Sequence, residues 1–280
     1  MMKFTSKDVS FILPTRNTLP YTKMAYESLR KYNPESEIII MDDLSTDGTN
    51  GWLDTINHKH TVVWKNDHLK FPRTYDDQLF SGHTLLYNLG IQMATGPVVG
   101  IFHSDMVCSQ NFTSNLLKHL NPKTIVSATR IEPPVYPTDN IKFTENFGIY
   151  HNEFKLHEFE KFVETKELIH GNKITNNFFA PWIMFQDDYL DIGGMDSLYA
   201  PYPIEDSDFI ERLYGDGYDI IQSWDSYVWH FCSRGHRWTT GKVQVDTDQF
   251  NFYQSRGMKV FVDRWKKYPN PPNYNYVKSL

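Results

Sequence analysis

The stretch Glu37-Ile38-Ile39-Ile40-Met41-Asp42-Asp43-Leu44-Ser45-Thr46-Asp47-Gly48-Thr49 decides how this chain folds. Glu37 to Met41 is a short run rich in β-branched residues, which predicts a strand buried in a parallel sheet. A carboxylate pair, Asp42-Asp43, closes it, and a turn of Ser, Thr, Asp and Gly follows. Open α/β sheets bind their ligands just beyond such strand ends.

The same grammar recurs on both sides. The apolar run Val98-Val99-Gly100-Ile101-Phe102 leads to Asp105, and Glu205-Asp206-Ser207-Asp208 follows the Gly193-Gly194 turn. Three acidic strand ends in one α/β chain point to metal-assisted transfer on a phosphate-bearing substrate. Between them the pattern alternates. Strands are predicted at 9–13, 37–41, 61–64, 98–102 and 124–129. Helices are predicted at 21–31, 51–56, 83–93 and 111–120, with Met24, Ala25, Ser28 and Leu29 on one buried stripe. That alternation reads as a doubly wound half.

After residue 130 the pattern changes. Residues 131–176 carry Pro133-Pro134 and an aromatic, helix-spaced segment around Phe154, Phe159 and Phe162, expected to form a lid or platform over the cleft. Structure is expected to resume at 178–185, with a helix at 205–214, two strands at 218–224 and 227–231, and a last helix at about 246–265. The expected organisation is one α/β domain over residues 1–240, with the insertion inside it. A C-terminal helix and extended tail, 241–280, would pack on that domain.

At 280 residues the chain is long enough for a sizeable core. A net charge of −6 argues against a dedicated nucleic-acid binder, although a local basic surface stays open. Cys108 and Cys232 make no disulfide framework. No apolar run reaches the ~20 residues of a membrane span, and Met1 to Asp8 lacks a signal-peptide core, so the expected location is cytoplasmic. No Gly-x-Gly-x-x-Gly follows the first strand, which speaks against a dinucleotide-dependent dehydrogenase.

Several segments, taken in order, resemble one family. They are Val9 to Asn17; Asp42-Asp43; Asn88-Leu89-Gly90; Ala94-Thr95-Gly96; His103-Ser104-Asp105; Gly193-Gly194-Met195-Asp196; and Glu205 to Phe209 with Arg212. Together they are similar to the inverting glycosyltransferases of family 2. The resemblance implies the GT-A fold, a mixed sheet flanked by helices. It also implies transfer of a sugar from a nucleotide-sugar donor, UDP-linked by default, to an acceptor hydroxyl with inversion.

It implies roles for particular residues too. Pro14, Thr15, Arg16 and Asn17 would line the donor base, with Ser104 and Asp105 nearby. An Asp at a strand end accepts hydrogen bonds from a base or ribose, which suits Asp42 or Asp43. Arg234 and Arg237, in the basic loop Ser233 to Trp238, suit a diphosphate. Asp105 matches the last Asp of the family's metal motif and would hold Mn²⁺ or Mg²⁺. Here the first position of that motif is His103 rather than Asp, a change that favours Mn²⁺ if the imidazole ligates. His230, on a late strand, resembles a further metal ligand. Asp206 would be the general base and Glu205 would bind the acceptor.

Trp182, with Tyr199, Tyr202 and Trp238, is a candidate to stack on an acceptor sugar. The acceptor itself stays open among a glycan, a lipid-linked sugar, a protein and a modified nucleobase. Two alternatives stand beside this reading: a glycosyltransferase acting on hydroxylated bases of DNA, and a non-catalytic nucleotide-sugar-binding relative.

Overall fold

The computed structural model describes residues 4–66, 82–135, 140–201, 203–232, 238–239, 242–243 and 247–269. Its first half follows the alternation: β1 (Val9–Thr15), α1 (Leu19–Tyr32), β2 (Glu37–Asp42), α2 (Thr49–Leu53), β3 (Thr61–Lys65), α3 (Gly82–Met93) and β4 (Val98–Ile101). Then come β5 (Met106–Cys108), α4 (Phe112–Leu117), β6 (Thr124–Glu132), β7 (Phe143–Thr144), α5 (Leu156–His170), β8 (Ile174–Thr175) and β9 (Trp182–Phe185). The chain continues through α6 (Gln186–Asp191), α7 (Glu205–Gly215), β10 (Asp219–His230) and α8 (Thr247–Trp265).

Among the described residues the main sheet runs β3-β2-β1-β4-β9-β6-β10-β5, with β7 and β8 pairing on β6 and β10. The sheet is mixed. β1 is parallel to β2 and β4, and β6 is parallel to β10. β9 runs antiparallel to both β4 and β6, and β5 antiparallel to β10. Alternating side chains send Ile12, Ile39, Val99 and Met184 to one face, where Leu86, Ile91, Phe209 and Leu213 meet them. Phe11, Ile38, Ile40 and Ile183 go to the other, against Ala25, Leu29, Phe112 and Leu116. Helices therefore cover both faces of a sheet whose central strands are apolar on both sides.

Two expectations change. The strands expected at 218–224 and 227–231 are one strand, β10, whose register against β6 shifts between Ser223 and Tyr227. The intervening Asp225 does not break it because its buried carboxylate accepts from Ser223 Oγ at 2.5 Å and Asn172 N at 3.3 Å and pairs with Lys118 at 3.2 Å. Secondly, α5 is not a lid. Its Phe159 and Val163 join Tyr21, Trp229 and Phe231 in a third apolar cluster behind β10. Glu160 and Glu167 tie the helix to Lys31 on α1 and to Asn111 beside α4.

Candidate active site

Parallel pairing of β1 with β2 sets Thr15 beside Asp42, and Asp43 N donates to Thr15 O at 2.9 Å. The loop after β1 folds onto the turn after β2. Arg16 Nη1 donates to Asp43 O at 2.7 Å, Asn17 N to Ser45 Oγ at 2.9 Å, and Thr46 N to Asn17 Oδ1 at 2.6 Å. Asn17 and Leu44 hold positive φ, 52° and 64°, to make this crossing. Asp47 accepts from Leu19 N and Thr49 N, at the starts of α1 and α2. The acidic turn is therefore a helix-start device as well as one wall of the candidate site.

The two aspartates differ. Asp43 takes Asn66 Nδ2 on one oxygen at 2.8 Å and Gly82 N on the other at 2.9 Å. Asp42 is buried with Oδ2 on Ser45 N at 3.2 Å, whereas Oδ1 has no partner among the described residues. Burial pushes the Asp42 carboxyl above its ordinary pKa. A buried acceptor without a donor is costly unless a ligand supplies one. Pro14 lies half-buried on β1, and Ser104 joins this wall through Thr18 Oγ1 at 3.4 Å.

Asp105 stands in the turn between β4 and β5, where Phe231 N donates to its carbonyl at 3.0 Å. Antiparallel pairing puts His230 opposite Met106, so the end of β10 meets Asp105 across the sheet. His103, Asp105 and His230 each bring one ligand atom into a group within 4.8 Å of one another.

Sequence reasoning did not find the residue that orients this group. Glu132 Oε1 lies 2.7 Å from His230 Nδ1, and Lys142 Nζ lies 2.6 Å from Glu132 Oε2. Burial alone would raise the Glu132 carboxyl, but the hydrogen bond and charge of His230, with Arg130 and Lys142, hold it well below the usual carboxylate range. An ionised carboxylate only accepts, so the proton in this contact sits on His230 Nδ1. His230 Nε2 then looks at Asp105 Oδ2, 3.6 Å away. Neutral, the imidazole offers that nitrogen to a cation shared with Asp105; protonated, it pairs with Asp105 directly. Carboxylate–histidine pairs of this kind orient metal ligands. The set fits a divalent cation. The signal for Glu132 was its place at a strand end, hidden because β6 runs three residues past the expected Thr129.

The acidic helix start is tied to the same group of residues. Glu205 is buried, with His83 Nε2 at 2.5 Å from Oε1 and Oε2 unpartnered among the described residues. His83 lies 5.8 Å from Tyr87, centroid to centroid, and Tyr87 stacks on His103 at 6.4 Å. Rings thus link the acidic motif to the metal-ligand group. Asp206 is half-buried and accepts from Ser207 N at 2.8 Å. Ile204, just before the motif, has φ of 86°, which is strained for a β-branched residue. It is braced by α8: a Cβ on Gly257 would lie 2.7 Å from Pro203 O, and Arg256 donates to Ala200 O.

Trp182 does not serve the acceptor. It is 1% exposed and stacks between Tyr189 and Phe209 in the core, so neither ring face is open to a sugar. Tyr199 is equally buried. Arg234, Arg237 and Tyr202 lie outside the described residues, as does the side chain of Trp238.

A family model, Glycosyl transferase family 2, matches residues 10–180. The chain belongs to glycosyltransferase family 2. Three solved structures share its fold. A mannosyltransferase, PcManGT of Pyrobaculum calidifontis, in complex with GDP-Man and Mn²⁺, is 16% identical with a TM-score of 0.57, over 95% of this chain and 66% of that one. GalNAc-T7 with UDP, GalNAc and Mn²⁺ is 12% identical with a TM-score of 0.55, over 95% and 58%. S. aureus TarS residues 1–349 is 14% identical with a TM-score of 0.54, over 92% and 72%. The chain thus spans about two thirds or less of the first two. A search of curated proteins finds no match. The family-2 sheet flanked by helices is the GT-A fold. Among the described residues no helix is long and apolar enough to cross a membrane.

Proposed function

We propose that this family-2 chain is an inverting glycosyltransferase that moves a sugar from a nucleotide-sugar donor to an acceptor hydroxyl. The observation that carries the reading is the convergence of His103, Asp105 and His230 at the strand ends, joined through Tyr87 and His83 to Glu205. Asp42, whose Oδ1 has no partner among the described residues, and the Thr15-Arg16-Asn17 loop would receive the nucleoside. UDP is the default donor nucleotide. Asp105, His103 and His230 would hold Mn²⁺ or Mg²⁺. Bound there, the ion supplies Lewis-acid neutralisation of the departing diphosphate.

The remaining chemistry belongs to the protein. Asp206 takes the proton of the acceptor hydroxyl as its oxygen bonds to the anomeric carbon, while the bond from that carbon to the diphosphate oxygen breaks. Glu205, held by His83, receives a second acceptor group. The acceptor classes are a glycan, a lipid-linked sugar, a protein or a modified nucleobase. The basic loop that points to DNA lies outside the described residues.

The test is release of nucleoside diphosphate from a panel of nucleotide sugars with Mn²⁺ or Mg²⁺, beside thermal stabilisation by the free nucleotides. A ligand at a hundred times its Kd adds about 2.7 kcal/mol. Asp206→Asn is expected to bind nucleotide normally and release none. Release at the wild-type rate in that variant would remove Asp206 as base. Binding without release by the wild type would instead make the chain a non-catalytic nucleotide-sugar binder.

A further inference from the structure

Arg130 lies two residues before Glu132 and shares its face of β6. Its Nε donates to Ala180 O at 2.6 Å, and its guanidinium sits 4.9 Å from the Phe179 ring centroid. Those two contacts fix the plane of the fork. Nη1 approaches Glu132 Oε1 only to 3.7 Å, and neither Nη makes a hydrogen bond among the described residues. Glu132 is already matched by Lys142 at 2.6 Å and His230 at 2.7 Å. Arg130 is therefore a mostly buried guanidinium, 15% exposed in its side chain, whose Nη atoms have a loose ion pair with Glu132 and no hydrogen bond among the described residues.

Its place matters as much as its charge. Through Glu132 and His230 it stands three contacts from Asp105. Arg130 thus stands next to the carboxylate that meets His230. Guanidinium forks match the paired oxygens of phosphate and carboxylate.

We infer that Arg130 is an anion-binding residue of this cleft, its Nη edge taking one phosphate or carboxylate group of a substrate. The inference rests on the cleft being the transfer site proposed above. The anion has two sources: the terminal phosphate of the nucleotide donor, or an acidic group carried by the acceptor or the transferred sugar.

The experiment is calorimetric titration of the full chain, with Mn²⁺ present, using UMP, UDP, GMP and GDP. Inorganic phosphate is then titrated into protein saturated with the monophosphate, and separately into protein without nucleotide. Arg130→Met is compared with Arg130→Lys, which keeps the charge but not the fork. A loss of about tenfold or more in Arg130→Met, confined to the diphosphates, assigns Arg130 to the donor. Unchanged diphosphate affinity with loss of the added phosphate assigns it to the acceptor or sugar side. Arg130→Lys is expected between wild type and Arg130→Met in either arm, and it carries the test if Arg130→Met fails to fold. Folded variants with wild-type affinity for both diphosphate and phosphate overturn the proposal. A wild type that binds no nucleotide would sink the donor reading instead, and the phosphate titration without nucleotide would still read Arg130.

Discussion

Glu132 Oε1 lies 2.7 Å from His230 Nδ1, and that single contact decides which nitrogen of His230 faces Asp105. Without it the imidazole is free to turn or to change tautomer, and the ligand group loses its preset geometry. Glu132→Gln is therefore expected to weaken Mn²⁺ binding by roughly 10–100-fold. Electron paramagnetic resonance of free Mn²⁺ against protein concentration measures it. Unchanged affinity would mean that His230 is not a ligand.

His83 is the one described side chain that meets the Glu205 carboxylate, whose second oxygen is already unpartnered among the described residues. His83→Ala would leave a buried acid unsatisfied, a cost of about 1–3 kcal/mol. Chemical denaturation reads this directly. A stability equal to wild type would show that water replaces His83 without penalty.

The acidic helix α7 depends on α8. Asp208, fully buried, accepts from Arg212 Nε at 2.8 Å, Arg264 Nη1 at 2.7 Å and Trp265 Nε1 at 3.0 Å, while Arg264 Nη2 reaches Asp196. Arg264→Ala should cost about 1–3 kcal/mol, because Asp208 keeps two of these partners. At roughly 2–4 °C per kcal/mol for a chain of this size, the melting temperature falls by several degrees. Arg264→Lys should recover only part, since one ammonium cannot span two carboxylates as a fork does. Full recovery by Lys would reduce the fork to a simple charge.

Asp225 supplies a pH dependence. Burial opposes its charge, but His119, Ser223, the Asn172 N–H and Lys118 outweigh it and hold the carboxyl well below its ordinary value. The folded pKa is thus depressed below the unfolded value of about 3.9. The stabilisation is fully present above that unfolded value and is lost as pH falls below it toward the folded pKa. Melting temperature should fall on acidification below about pH 4, and the fall should be shallower in Asp225→Asn. Equal slopes in the two proteins would remove Asp225 as a source.

Most of the central strands, and the helices between them, were legible because their signals are local. The apolar run Ile38 to Met41, the acidic turn after it and the stripe of α1 each specify structure within a few residues. Asp105 and His230 were legible as candidates, Asp105 from the apolar run before it and His230 from the resemblance, and the fold brings the two side chains to 3.6 Å. Trp182 misled because an aromatic beside a motif reads alike whether it lines a cleft or fills a core, and only burial separates the two.

The sequence by itself determined the family, the alternation that builds the sheet, and the acidic strand ends. All of these follow from side-chain period and turn chemistry within short windows. Tertiary structure alone decided which distant groups meet. Glu132 and His230 are 98 residues apart, and His83 and Glu205 are 122 apart. The first meeting follows from the pairing of β6 with β10, and the second from α3 and α7 packing into one apolar cluster on the sheet. Hydrogen-bond reach is only about 3 Å, so a shift in strand register or helix packing too small to see in the sequence would have parted these pairs.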